Sequence, residues 1–231
     1  MAGYRCVFFD LDHTLWDYET NCAETLHSMY HHYELEQRGV DSFPGFLKSF
    51  VSVNNALWDQ YDRGMIPHEA IRYDRFHRIL KEVGVDDFDL SLLLSKHYML
   101  ESPKGKNLVP QAIETLDYLV ANYPLYIITN GFSEIQSVKL AASGIKKYFK
   151  KVITSEQAGY KKPARQIFDY ALNQNGFHSH QAIMIGDNLL TDMTGARNAE
   201  IDHVFFNPNK VGYMEPVTYE IHRLSELKNI L

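Results

Sequence analysis

Residues 6–15 read Cys-Val-Phe-Phe-Asp-Leu-Asp-His-Thr-Leu, an apolar run that gives way at once to two carboxylates, Asp10 and Asp12. A run apolar on both faces suits a strand buried in a parallel sheet, with helices covering each side. The abrupt change at Asp10 marks the strand's carboxyl end, the edge where open α/β sheets place their ligands. The same pattern returns at residues 125–130, 152–155, 182–187 and 203–207. Residues 109–121, 134–142, 167–174 and 189–199 carry apolar side chains at i, i+3, i+4 spacing and are predicted to be helices between those strands.

Strand alternating with helix predicts right-handed βαβ crossovers and an α/β fold, a Rossmann-like doubly wound parallel sheet. The alternation breaks once. Residues 17–35, 44–62, 67–83 and 88–100 read as helix after helix, with Gly39, Gly64 and Gly84 as breaks and Pro67 suited to a helix start. The expected domains are therefore a catalytic core of residues 1–15 and 106–231, with an all-helical cap of residues 16–105 inserted after the first strand. The insertion leaves and rejoins beside the carboxyl end of that strand, so it reads as a lid. Trp58, Tyr61 and Tyr73 sit at helical spacing within it and read as core rather than as a base-stacking platform.

Composition narrows the function classes. The 231 residues are 45% hydrophobic and 23% charged, ample for a core. A net charge of -6 argues against a nucleic-acid polymer as partner, and Lys146-Lys147 and Lys150-Lys151 read as solvated helix and loop ends. No apolar stretch approaches the ~18 residues that span a bilayer, so no membrane is expected. The first residues offer no apolar signal region, and Cys6 and Cys22 read as reduced thiols. A cytoplasmic location is expected, as monomer or homodimer. His31, His32, His178 and His180 read as surface histidines, and His13 as a loop residue.

The chemistry gathers where strands end. Asp10-Leu11-Asp12-His13-Thr14, Thr129-Asn130-Gly131, and Gly186-Asp187 followed by Asp192 would share one crevice with Lys161-Lys162-Pro163. Alone, Asp-x-Asp is commonly a turn and Gly-Asp a capped helix start. Several carboxylates converging on one site need a counter-charge, because like charges raise one another's pKa. A hard divalent cation with oxygen ligands supplies it, and Mg²⁺ fits such a set better than zinc, which favours His and Cys.

In order and strand context these four motifs resemble those of the haloacid dehalogenase superfamily, over essentially the whole chain. The resemblance implies that Asp10 is a nucleophile forming an aspartyl-phosphate and that Asp12 is the general acid and then the base. It implies that Thr129, with the Asn130 and Gly131 amides, holds phosphoryl oxygens while Lys162 neutralises the transition state. Asp10, Asp187 and the Asp12 backbone carbonyl would bind Mg²⁺, and Asp192 would orient Lys162 or the metal's waters. Asp12 favours phosphate transfer over dehalogenation, since a halide leaves without a proton. Asp-Leu-Asp-His-Thr-Leu-Trp-Asp, Thr129-Asn130-Gly131-Phe132, and Leu57-Trp58, Tyr61, Gly64, Arg75-Phe76 in the cap look similar to pyrimidine nucleotidase-like phosphatases. The implied substrate is a small phosphomonoester, a nucleoside monophosphate first. A β-phosphoglucomutase-like sugar phosphomutase is the alternative, followed by a dehalogenase or a non-catalytic binding protein. Two departures stand out: Ala164-Arg165 where the family has Asp or Glu, and Glu200 where it has Gly, a position that often adopts a left-handed backbone.

Overall fold

The computed structural model describes residues 3–231. The chain divides into two compact units, residues 1–18 with 106–231 and residues 19–105. In the first, six strands form one parallel sheet in the order β3-β2-β1-β4-β5-β6. They are β1 (Cys6–Phe9), β2 (Leu125–Thr129), β3 (Phe149–Thr154), β4 (Ala182–Gly186), β5 (Asp202–Phe206) and β6 (Tyr219–Ile221). The order reverses around β1, between β2 and β4, so the switch point that receives ligands lies at the carboxyl ends of β1 and β4.

The period-two rule explains the two-sided core. Val7, Phe9, Ile127, Ile183, Ile185 and Val204 face one cluster with Leu116, Leu119 and Leu140. Phe8, Tyr126, Ile128 and Met184 face the other with Ile167, Phe168, Ala171 and Ala196. Each such Phe, Leu or Ile, fully buried, stabilises the fold by roughly 1.5–3 kcal/mol. After the four helices α1 (Tyr18–His32), α2 (Phe43–Asp62), α3 (His68–Glu82) and α4 (Phe88–Glu101), the sheet is flanked by α5 (Ala112–Val120), α6 (Ser133–Ala142), the single turn α7 (Ser155–Ala158), α8 (Arg165–Asn173) and α9 (Thr194–Asn198).

Within residues 19–105 the helices are punctuated as their sequence implies. Gly39, Gly64 and Gly84 all have positive φ (96°, 76° and 84°). Ser42 caps α2 through Gly45 N, and Asp87 caps α4 through Leu90 N. Pro67 is the residue immediately before α3 rather than its first. Leu57, Phe50, Phe76 and Tyr98 are buried, but Trp58 and Tyr61 are half-buried and Tyr73 is exposed, so the aromatic triplet is not the core.

Other departures have local causes. The helix expected from residue 109 starts at Ala112, because Gln111 is left-handed at φ 68°. Lys150 and Lys151 lie exposed in the edge strand β3 rather than at a loop end, where their charges obstruct pairing with a further strand. Strand β6 went unanticipated because it is short and lacks an apolar run. Glu200 does adopt the left-handed conformation, φ 58°, at a cost of about 1 kcal/mol for a residue with a Cβ. Its carboxylate accepts from Arg165 Nη1 at 2.9 Å, so the two departures from the family pattern are joined to each other. Cys6 and Cys22 are both buried thiols, and neither forms a disulfide among the described residues. No helix among the described residues is long and apolar enough to cross a membrane.

Candidate active site

Asp10 follows β1 directly, and its amide donates to the Ile185 carbonyl of β4 at 2.9 Å. The ladder therefore holds the backbone up to this residue. Asp187 follows β4 in the same way, and its carboxylate accepts from the Thr14 hydroxyl at 3.1 Å. Carboxylate oxygens of Asp10, Asp187 and Asp192 lie within 4.8 Å of one another. Asp192 reaches this group from a π-helical turn, Leu189–Met193, whose start is capped by the Asn188 side chain. Such wide turns recur at functional sites. Asp192 Oδ2 also accepts from the Asn188 amide at 3.1 Å. Gly186 is required beneath it, since a Cβ there would collide with the Asp192 carboxylate.

Lys162 enters from the loop before α8. Its Nζ donates to Asp10 Oδ1 at 2.5 Å, Asp192 Oδ1 at 2.6 Å and the Ile128 carbonyl at 2.9 Å. All three ammonium protons are thereby engaged. The loop is pinned from the other side by Asn130, whose side chain donates to the Lys162 carbonyl at 3.0 Å and accepts from its amide at 2.8 Å. The Asn130 side chain thus fixes Lys162, a part the sequence did not assign to it.

The Asp12 carboxylate does not join the other three. It accepts from Lys139 Nζ at 2.5 Å and from Gln136 Nε2 at 2.9 Å. Asp192, expected only to orient Lys162 or waters, both anchors Lys162 and contributes to the carboxylate cluster. Thr129 is buried at the end of β2, but the Gly131 amide, expected to face phosphoryl oxygens, donates to Thr129 Oγ1 at 3.0 Å. Thr14, Gln136 and Lys139 were not anticipated. Thr14 carries the only available signal, a hydroxyl four residues after Asp10 in the same loop.

Electrostatics follow from burial and from one ammonium shared among three carboxylates. Burial pushes Asp10 up to about 7, against the pull of Lys162, and burial with the Asp10 charge pushes Asp187 up to about 6. Burial would raise Asp12 too, but the Lys139 ammonium and its hydrogen bond override it and hold that carboxyl below its ordinary value. Burial opposes the Lys162 charge, yet Asp10 and Asp192 more than compensate and keep the lysine protonated.

A doubly wound sheet with carboxylates and a lysine gathered at its switch point has the arrangement of an aspartate-centred α/β enzyme. Residues 7–206 match the family model of haloacid dehalogenase-like hydrolases, and the chain belongs to that family. The pyrimidine 5'-nucleotidase PynA of Streptococcus pneumoniae is 32% identical, over 99% of this chain and 97% of its own. The pyrimidine 5'-nucleotidase YjjG of Escherichia coli is 29% identical, over 97% and 96% respectively. A crystal structure of the HAD-hydrolase YfnB of Bacillus subtilis, bound to magnesium, matches with a TM-score of 0.89 at 28% identity, covering 98% of each chain.

Proposed function

We propose that this chain is a Mg²⁺-dependent phosphatase that hydrolyses a small phosphomonoester, a nucleoside monophosphate first, through an aspartyl-phosphate on Asp10. The observation that carries this is Lys162 bridging Asp10 and Asp192 beside Asp187, with Asp12 two residues from Asp10 and held apart from them. The nucleoside monophosphate draws its support from the two pyrimidine 5'-nucleotidases among the relatives.

The donor chemistry fits Mg²⁺. The gathered ligands are carboxylate oxygens, with no His or Cys among them, and three carboxylates exceed the charge of one ammonium. Asp10, Asp187 and the Asp12 backbone carbonyl would hold the ion, with Asp192 beside them. When bound, it neutralises phosphoryl oxygens and polarises phosphorus.

The chain's own residues do the rest. Asp10 attacks phosphorus, an Asp10 O–P bond forms, and the ester P–O bond breaks. Asp12 has to carry a proton for this step, against the Lys139 ammonium that favours its ionised form, and it gives that proton to the leaving oxygen, releasing an alcohol. The ionised Asp12 then takes a proton from water as that water attacks phosphorus, which returns free phosphate and the Asp10 carboxylate. Lys162 acts by charge, since its protons are committed to Asp10, Asp192 and Ile128. Asp12 separates this reaction from dehalogenation, where no proton is needed.

Phosphate release from nucleoside monophosphates, sugar phosphates and an aryl phosphate tests this, with Mg²⁺ and with chelator. Metal-dependent turnover favouring nucleotides is expected. Folded protein silent on every ester would defeat the assignment.

A stability measurement addresses the metal without turnover. Asp10 and Asp187 have folded pKa values above their unfolded ones, so between about pH 4 and 7 the folded state binds more protons. Stability from these groups therefore falls as pH rises through that window. Asp12, with a lowered pKa, contributes stability that is lost only as pH falls below the ordinary carboxylate range. The metal-free thermal midpoint should carry this falling contribution between pH 5 and 7.5, and Mg²⁺ should raise the midpoint more at pH 7.5, where its ligands are ionised. A Mg²⁺ shift equal at both pH values, or absent, would contradict the assignment of the cation to these carboxylates.

A further inference from the structure

Helix α6 buries two polar side chains beside Leu140 while one of its apolar residues stays exposed. Gln136 is 1% exposed and Lys139 is 5% exposed, while Val138 between them is 41% exposed. A helix that buries an amide and an ammonium in preference to valine does so for their polar atoms, because burying them without partners is costly. Those atoms converge on the phosphatase machinery. Lys139 Nζ donates to Asp12 Oδ1 at 2.5 Å and lies 4.4 Å from the Trp16 ring centroid and 5.6 Å from that of Tyr18. Two aromatic faces thus keep the ammonium in place.

Gln136 spends both amide protons. Nε2 donates to Asp12 Oδ2 and to Thr129 Oγ1, each at 2.9 Å. The carboxylate is acceptor-only when ionised, which fixes the amide's orientation. Its Oε1 is buried with no partner, so the glutamine is retained for its nitrogen. Thr129 Oγ1 also accepts from the Gly131 amide at 3.0 Å. With both acceptor sites of the hydroxyl filled, its proton is left to point elsewhere.

We propose that Gln136 and Lys139 are positioning residues: together they aim the Asp12 carboxylate, and Gln136 with the Gly131 amide turns the Thr129 hydroxyl proton outward as a donor to the phosphoryl group. The proposal rests on the phosphatase assignment above and adds to it how acid and phosphoryl cradle are held in register.

The test compares kcat/KM for an alkyl phosphate, whose leaving oxygen needs a proton, with nitrophenyl phosphate, whose leaving group does not. Lys139→Met should lose ~10²-fold more on the alkyl ester than on the aryl ester, within the range general acids contribute. Lys139→Arg should recover most of that difference, since a guanidinium also stacks on aromatic faces and reaches a carboxylate. Gln136→Met should keep or raise the thermal midpoint, having removed the orphaned oxygen. It should weaken inorganic phosphate binding, measured by calorimetry with Mg²⁺, by roughly tenfold, the worth of one neutral hydrogen bond.

Equal losses on both esters in Lys139→Met, or none, would overturn the role given to Lys139. Unchanged phosphate affinity in Gln136→Met would overturn the role given to Gln136, and needs no turnover to be read. Wild-type protein inactive on both esters would instead defeat the phosphatase assignment, while the calorimetric comparison would still decide the orientation of Thr129.

Discussion

Asp10→Asn is expected to lower phosphate release by roughly 10⁴–10⁶-fold, the scale on which enzymes lose rate when a covalent nucleophile is removed. The substituted amide can still accept from Lys162 but has no lone pair basic enough to attack phosphorus. Radiolabelled phosphate should remain on acid-quenched wild-type protein and be absent from the variant. The same substitution should stabilise the metal-free fold. Burial holds Asp10 at about 7, so above that pH its charge is maintained at the expense of the folded state. Removing one of the two carboxylates bonded to Lys162 leaves the Lys162–Asp192 pair in place, at 2.6 Å. A thermal midpoint higher on the order of 5 °C in chelator at pH 7.5 is the expected size for a gain of one to two kcal/mol. Retained turnover, or a lower midpoint, would contradict the place given to Asp10.

The strand ends were legible because each carries an apolar run that stops at a chemically distinctive residue. Asp10, Thr129 and Asp187 all sit immediately after or at the end of a strand and so could be read from sequence. Asp192 was harder, since its approach to Lys162 depends on a π-helical turn that a period of 3.6 does not reveal. Gln136 and Lys139 were illegible for the opposite reason. Their helix obeys apolar spacing well enough to be found, and that same spacing places polar residues outside. Only the partners, the Asp12 carboxylate and the Trp16 and Tyr18 rings, explain why they turn inward, and those partners are far off in sequence. The motif gives Asn130 a role only through its amide, yet its side chain ties β2 to the Lys162 loop. Local motifs can be read locally; the braces between them require the fold.

Lys162→Met carries the second large effect, with the opposite sign in stability. The ammonium is 2% exposed and is the shared partner of Asp10, Asp192 and the Ile128 carbonyl. Its loss strands two carboxylates in a low-dielectric site, and breaking a buried pair in this way costs about 3–5 kcal/mol. At roughly 2–4 °C per kcal/mol the metal-free midpoint should fall by about 10 °C. Turnover should fall by ~10³-fold, as when a preorganised charge at a transition state is removed. Mg²⁺ should restore part of the stability and little of the rate, because the cation compensates charge without occupying the position of Nζ. The double variant Asp10→Asn with Lys162→Met decides whether these losses come from the pair itself. If they do, removing Asp10 relieves part of what removing Lys162 inflicts, and Asp10→Asn stabilises the Lys162→Met background by ~1–3 kcal/mol more than it stabilises the wild type. Strict additivity would mean that the two side chains act independently, which a 2.5 Å contact between a buried ammonium and a buried carboxylate does not allow.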